Sequence, residues 1–135
     1  MAEASTFYLE IITPERQFYI GPAEALVFPA MDGEMGVYPG HEPAVTAVEP
    51  GELRFQAEGK WTVAVVSQGL AEIMPDRVMI LAASAEHPDE IDLKRAEAAR
   101  ERAEERLRQK LSMREYYNSK AALARALARL KAARR

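Results

Sequence analysis

Short alternating runs of apolar and polar residues fill positions 1–85. Beyond Pro88 there is neither Gly nor Pro, and almost every residue is a helix former. Glu52-Leu53-Arg54-Phe55-Gln56-Ala57 alternates strictly, the pattern of a half-buried strand. Phe7-Tyr8-Leu9-Glu10-Ile11-Ile12 is aromatic and β-branched and predicts another, with Thr13-Pro14-Glu15-Arg16 as the following turn. Gln17-Phe18-Tyr19-Ile20 reads as its partner, ended by Gly21-Pro22. Ala25-Leu26-Val27-Phe28-Pro29-Ala30 reads as a third strand, whose Pro29 marks an edge or a strand end because it cannot donate to a ladder. Further strands are predicted at 45–48, 60–66, 70–74 and 77–82, with Glu58-Gly59 as a hairpin turn. Residues 32–43, with Gly33, Gly36 and Gly40, read as a structured loop. About eight or nine short strands with turns every ~8–12 residues predict an antiparallel sandwich or flattened barrel.

The helical part has its own periodicity. A first helix is expected to begin between Asp89 and Asp92, with Asp89 as cap, and to run to about residues 112–114. Ala96, Ala99, Ala103 and Leu107 form one stripe, which lets a partner helix approach closely but buries little area. Tyr116-Tyr117-Asn118-Ser119 is the expected reversal, and Ser119 the expected cap of a second helix over about 120–134. Its seam is Leu123, Leu127 and Leu130, with Arg125 and Arg129 roughly 200° around on the opposite side. The expected class is α+β: an N-terminal antiparallel β-sandwich (1–85) followed by a C-terminal two-helix antiparallel hairpin (86–135).

Charge sharpens this division. Residues 1–85 hold four basic against twelve acidic residues, a net of −8; residues 86–135 hold fourteen against nine, a net of +5. From Arg106 onward ten bases face one acid, Glu115. A basic tail on an acidic body suits an acidic or polyanionic partner. With no Cys, there is no disulfide framework, thiolate metal site or Cys nucleophile. No apolar stretch approaches the ~20 residues of a membrane span and no signal peptide is evident, so a soluble, cytosolic chain is expected.

Candidate chemistry is sparse. The glycine-rich residues 32–43 lack the Lys and Ser/Thr of a phosphate-binding P-loop. His41 has no second ligand at metal spacing and reads as a loop residue with a local hydrogen bond. At the joint, Asp92 and Arg95 share a helical face, as a helix cap or as a ligand site. An enzyme acting there would need a nucleophile, a base and an oxyanion donor, and none accompanies them.

Three stretches together resemble the epsilon subunit of bacterial F-type ATP synthase. Residues 33–43 are similar to the family's Gly-x-x-Gly-x-x-Pro-x-His-x-Pro loop. Gly69-Leu70-Ala71-Glu72-Ile73 with Pro75-Asp76-Arg77-Val78 resembles the signature of its last strands. Ile91-Asp92-Leu93-Lys94-Arg95-Ala96 matches the (Ile/Leu)-Asp-x-x-Arg-Ala motif of members that bind ATP. The resemblance implies a noncatalytic, regulatory rotor subunit, peripheral on the cytoplasmic face of the cell membrane. Its sandwich would sit against the gamma subunit and the ring of c subunits, with Tyr38 and His41 in the rotor contact. Its hairpin would extend toward the alpha and beta subunits to inhibit ATP hydrolysis, or fold down and hold one regulatory ATP. The matching positions are Glu86, Ile91, Asp92, Arg95, Ala96, Arg102, Arg125 and Arg129, with Asp92 either accepting from the adenine amino group or capping the helix. The motif does not decide a need for Mg2+. His87-Pro88 departs from the charged residues of many members. The alternative is a nucleic-acid-binding module using the basic hairpin, which would need aromatics interleaved with the bases; helix two has none after Tyr117.

Overall fold

A computed structural model describes residues 5–109 and 112–134. Two five-stranded sheets face each other. β1 (Phe7–Ile12), β2 (Gln17–Ala23), β5 (Ala44–Val48), β8 (Gly69–Ile73) and β9 (Arg77–Ala82) form the first sheet, in the order β2-β1-β9-β8-β5. β3 (Ala25–Ala30), β4 (Gly33–Val37), β6 (Gly51–Ala57), β7 (Lys60–Val66) and β10 (Ala85–Glu86) form the second, in the order β10-β7-β6-β3-β4. Pairing is antiparallel except between β1 and β9. The inward faces supply the core: Leu9 and Ile11 of β1, Leu26 and Phe28 of β3, Leu53 of β6 and Ile80 of β9 are fully buried. The period-2 reading of β6 holds, with Leu53 and Phe55 inward and Arg54 and Gln56 outward.

Some predicted boundaries move. Gly21-Pro22 does not end β2, which continues to Ala23; β2 is an edge strand, so Pro22 breaks no ladder. Pro29 lies one residue before the end of β3, beyond the pairing with β6 at Ala25–Val27 and opposite Glu34 of β4. Gly33–Val37 is not loop but the edge strand β4, paired with β3. Glu58 and Gly59 both take positive φ (52° and 77°), the two-residue hairpin turn expected there.

The hairpin packs on the second sheet. α1 spans Leu93–Arg108 and α2 spans Met113–Ala133. The predicted cap shifts from Asp89 to Asp92, whose Oδ1 accepts from the Arg95 amide at 3.1 Å. Asp89 lies instead in a 3-10 turn over Pro88–Glu90, which Pro88 opens. The reversal is also earlier than expected: Ser112 caps α2 through the Glu115 amide, and 116–119 lie inside the helix. The forecast extension of helix one crosses 110–111, which lie outside the described residues. Ala96, Ala103 and Leu130 are buried at the seam as expected and Leu123 is half-buried, whereas Leu127 is 47% exposed and Ala126 is buried in its stead. The reason is that α2 is covered on two sides, by α1 and by β6 and β7.

Candidate functional site

A cleft of about 1600 Å³ opens where the hairpin meets the sandwich. Three walls enclose it: the ends of β7 and β10 with Ser67 and Ser84, the inner side of α1, and the inner side of α2. Glu86 reaches it from β10, Arg95 and Arg102 from α1, and Arg125 and Arg129 from α2. Arg95 and Arg102 are seven residues apart, so two helical turns place them along one edge. Arg125 and Arg129 do not point away from the protein, as a single leucine seam had suggested. They turn toward the sandwich, where Arg129 reaches Glu86 and Arg125 reaches Gln68.

The second-helix arginines are already engaged. Arg129 Nη2 donates to Glu86 Oε2 at 3.1 Å, and its Nε sits 3.0 Å from Oε1 without the alignment of a hydrogen bond. Arg125 Nη1 donates to Gln68 Oε1 at 3.3 Å. Among the described residues neither the Arg95 nor the Arg102 side chain has a hydrogen bond or ion pair, and both are exposed. The cleft thus presents two uncommitted guanidiniums and two more held by the Glu86 carboxylate and the Gln68 amide oxygen. Such a set suits a multivalent anion, since each guanidinium offers planar paired donors.

The remaining motif residues sit apart from the lining. The Asp92 carboxylate is the α1 cap, and Ala96 is fully buried beneath the helix. Ile91 is half-buried between the 3-10 turn and α1. Tyr38 and His41 lie elsewhere, on the loop after β4; Tyr38 is 61% exposed. His41 makes the expected local contact, Nδ1 to the Glu42 carbonyl at 2.7 Å. That loop is tied to the β8–β9 turn by the Gly40 amide, which donates to the Pro75 carbonyl at 2.8 Å.

Sequence reasoning missed Arg16 and Glu90, which line the cleft, and Gln68, which accepts from Arg125 beside it. Gln68 adjoins the Gly69 signature and was within reach of it. Arg16 and Glu90 are 74 positions apart, and no local pattern links them.

The chain matches family models in two consecutive stretches. Residues 6–88 match the ATP synthase delta/epsilon chain β-sandwich domain, and 89–134 match its long α-helix domain. The chain belongs to the ATP synthase epsilon family. The ATP synthase epsilon chain of Ruminiclostridium cellulolyticum is 57% identical over 97% of this chain and 98% of the relative. That of Caldanaerobacter subterraneus is 46% identical over 95% and 94%. A chain of the Euglena gracilis mitochondrial ATP synthase, solved by cryo-EM with OSCP, F1 and c-ring, superposes with TM-score 0.79 at 28% identity, covering 96% of this chain and 82% of its own. As an epsilon chain it is a noncatalytic stalk subunit. No helix among the described residues is long and apolar enough to cross a membrane.

Proposed function

We propose that this epsilon chain couples the catalytic head of a proton-translocating ATP synthase to its c ring and restrains ATP hydrolysis through the hairpin. ATP, a regulatory ligand and not a substrate, stabilises the hairpin's folded form. The observation that carries this reading is the convergence of Arg95, Arg102, Arg125 and Arg129 from two helices on one cleft against Glu86. That convergence exists only while the helices lie antiparallel on the sandwich. An anion that needs all four groups therefore binds the folded state better, and only such differential affinity shifts an equilibrium. The seam it must hold is small: Ala96, Ala103, Ala126 and Leu130 bury little apolar area, so opening is cheap. A ligand at 100 times its Kd adds ~2.7 kcal/mol to the state that binds it, enough to hold such a seam.

The rest of the surface supports a peripheral rotor subunit at the cytoplasmic side of the cell membrane. Tyr8, Ile20, Val45, Leu70 and Leu81 stand exposed on the strands of the first sheet, whose outer face the hairpin leaves open. Such an apolar face fits the gamma subunit. The loop carrying Tyr38 and His41 fits the c ring. Extended, the basic hairpin would meet acidic surface of the alpha and beta subunits. Nucleic acid fits it less well, since Arg106, Arg108 and Arg134 are paired with Glu115, Glu105 and Glu97. In the assembled complex, removing residues 91–135 is expected to raise ATP hydrolysis without blocking assembly. Unchanged hydrolysis in an assembled complex would end the inhibitory role.

A further inference from the structure

The segment that joins sandwich and hairpin is fastened from the opposite sheet. Arg16, in the β1–β2 turn, donates through Nη2 to the Ala85 carbonyl at 2.8 Å and to Glu90 Oε1 at 2.9 Å, and through Nη1 to Glu90 Oε2 at 3.1 Å. Glu90 Oε1 also accepts from the His87 amide at 2.7 Å. The His87 ring packs on Phe18 of β2, centroids 4.5 Å apart, and the Arg16 guanidinium lies 5.2 Å from the centre of the same Phe18 ring. β10 is the edge of its sheet, so its outward Ala85 carbonyl has no strand beyond it; Arg16 takes that place. A forked pair with a further carbonyl contact is stiffer than an isolated surface ion pair.

The fastening stops abruptly. Ile91 (φ −82°, ψ 125°) and Asp92 (φ −81°, ψ 108°) are consecutive extended residues between the 3-10 turn and α1. Their hydrogen bonds run along the chain: the Ile91 amide to the Pro88 carbonyl, and the Arg95 amide to Asp92 Oδ1. Rotation about these two residues swings α1 without breaking the caps on either side, which is what a hinge requires.

We propose that Arg16 is a positioning residue for the cleft: it keeps residues 85–90 on the sandwich, so that the hairpin turns about Ile91 and Asp92. Glu86 lies between two points that Arg16 holds, Ala85 and Glu90, and its strand partner is Val65. When the hairpin leaves, Glu86 and Gln68 remain as a fixed half-site to which Arg129 and Arg125 return. The proposal rests on the mobile hairpin described above.

Residue-resolved hydrogen exchange on the full chain, without nucleotide, tests it. The α1 and α2 amides are expected to exchange together, faster than the core strands, while the His87 and Glu90 amides exchange with the sandwich. Arg16→Gln is expected to speed the His87 and Glu90 amides at least ~10-fold and leave β6 and β8 unchanged. If that variant does not fold, Glu90→Gln, which leaves Arg16 its Ala85 carbonyl, reads the same amides. Exchange of 87–90 at the helix rate in the native chain, or no change in the variants, overturns the positioning role. Helix amides that exchange only with the sandwich would instead remove the mobile hairpin, and the pivot with it.

Discussion

Arg129 of α2 and Glu86 of β10 form the one ion pair, among the described residues, between the second helix and the sandwich. Their side chains are 28% and 24% exposed, shielded enough to matter and open enough to exchange. Glu86→Gln and Arg129→Ala should each loosen docking of α2 by on the order of 1 kcal/mol, and the double variant should cost less than the sum. Opening free energies of the α2 amides in the four proteins measure the coupling. Strict additivity would mean that the pair holds nothing.

Glu90 supplies a pH signature. The hydrogen bond from Arg16 and, next, that from the His87 amide hold its carboxyl down from the ordinary 4.5 to about 2. A group whose pKa is lower when folded stabilises the fold above its unfolded value. That contribution is lost as pH falls from about 4.5 toward 2. Carboxyl-carbon NMR should find Glu90 titrating well below the ordinary glutamate range, and Arg16→Gln should raise it toward that range. A Glu90 that titrates normally in the native chain would contradict the clamp.

Gly69 should tolerate no side chain. It faces Ala82 across the β8–β9 pair, and a Cβ there would run into the Leu81 carbonyl. The obstacle is backbone, so the sheet itself must shift. Gly69→Ala should destabilise the sandwich by ~1–3 kcal/mol in chemical denaturation. A midpoint equal to that of the native chain would show that the strands part freely there.

The rotor contact can be tested apart from the fold. Tyr38 is exposed and, among the described residues, the His41 side chain bonds only its neighbour, so the double change to Ala should leave thermal stability within ~0.5 kcal/mol. Proton-driven ATP synthesis by the assembled complex should fall. Synthesis at the native rate would free this loop of any rotor role.

Most of the sandwich was legible because alternation reports directly on a two-faced strand, as in Leu53 and Phe55 against Arg54 and Gln56. Gly33–Val37 was not, because two of its five residues are glycine and edge pairing with β3 supplies what its propensity lacks. The helix reversal was misplaced because Ser112 caps α2 without a Gly or Pro to mark it. The cleft was legible only in part. Arg95 and Arg102 follow from helical spacing, but the direction of Arg125 and Arg129 depends on a second packing surface that a one-seam reading does not contain. Arg16 was invisible, since its partners lie 69 and 74 positions away.

The central claim is that the cleft binds ATP and thereby favours the folded hairpin. Titration calorimetry of ATP into the isolated chain tests it most directly, with Arg95→Ala and Arg129→Ala as paired controls from the two helices. The account predicts saturable one-to-one binding in the native chain, lost in both variants. No detectable heat at millimolar ATP would contradict it, and would leave Asp92 as a helix cap and the arginines as a solvated surface.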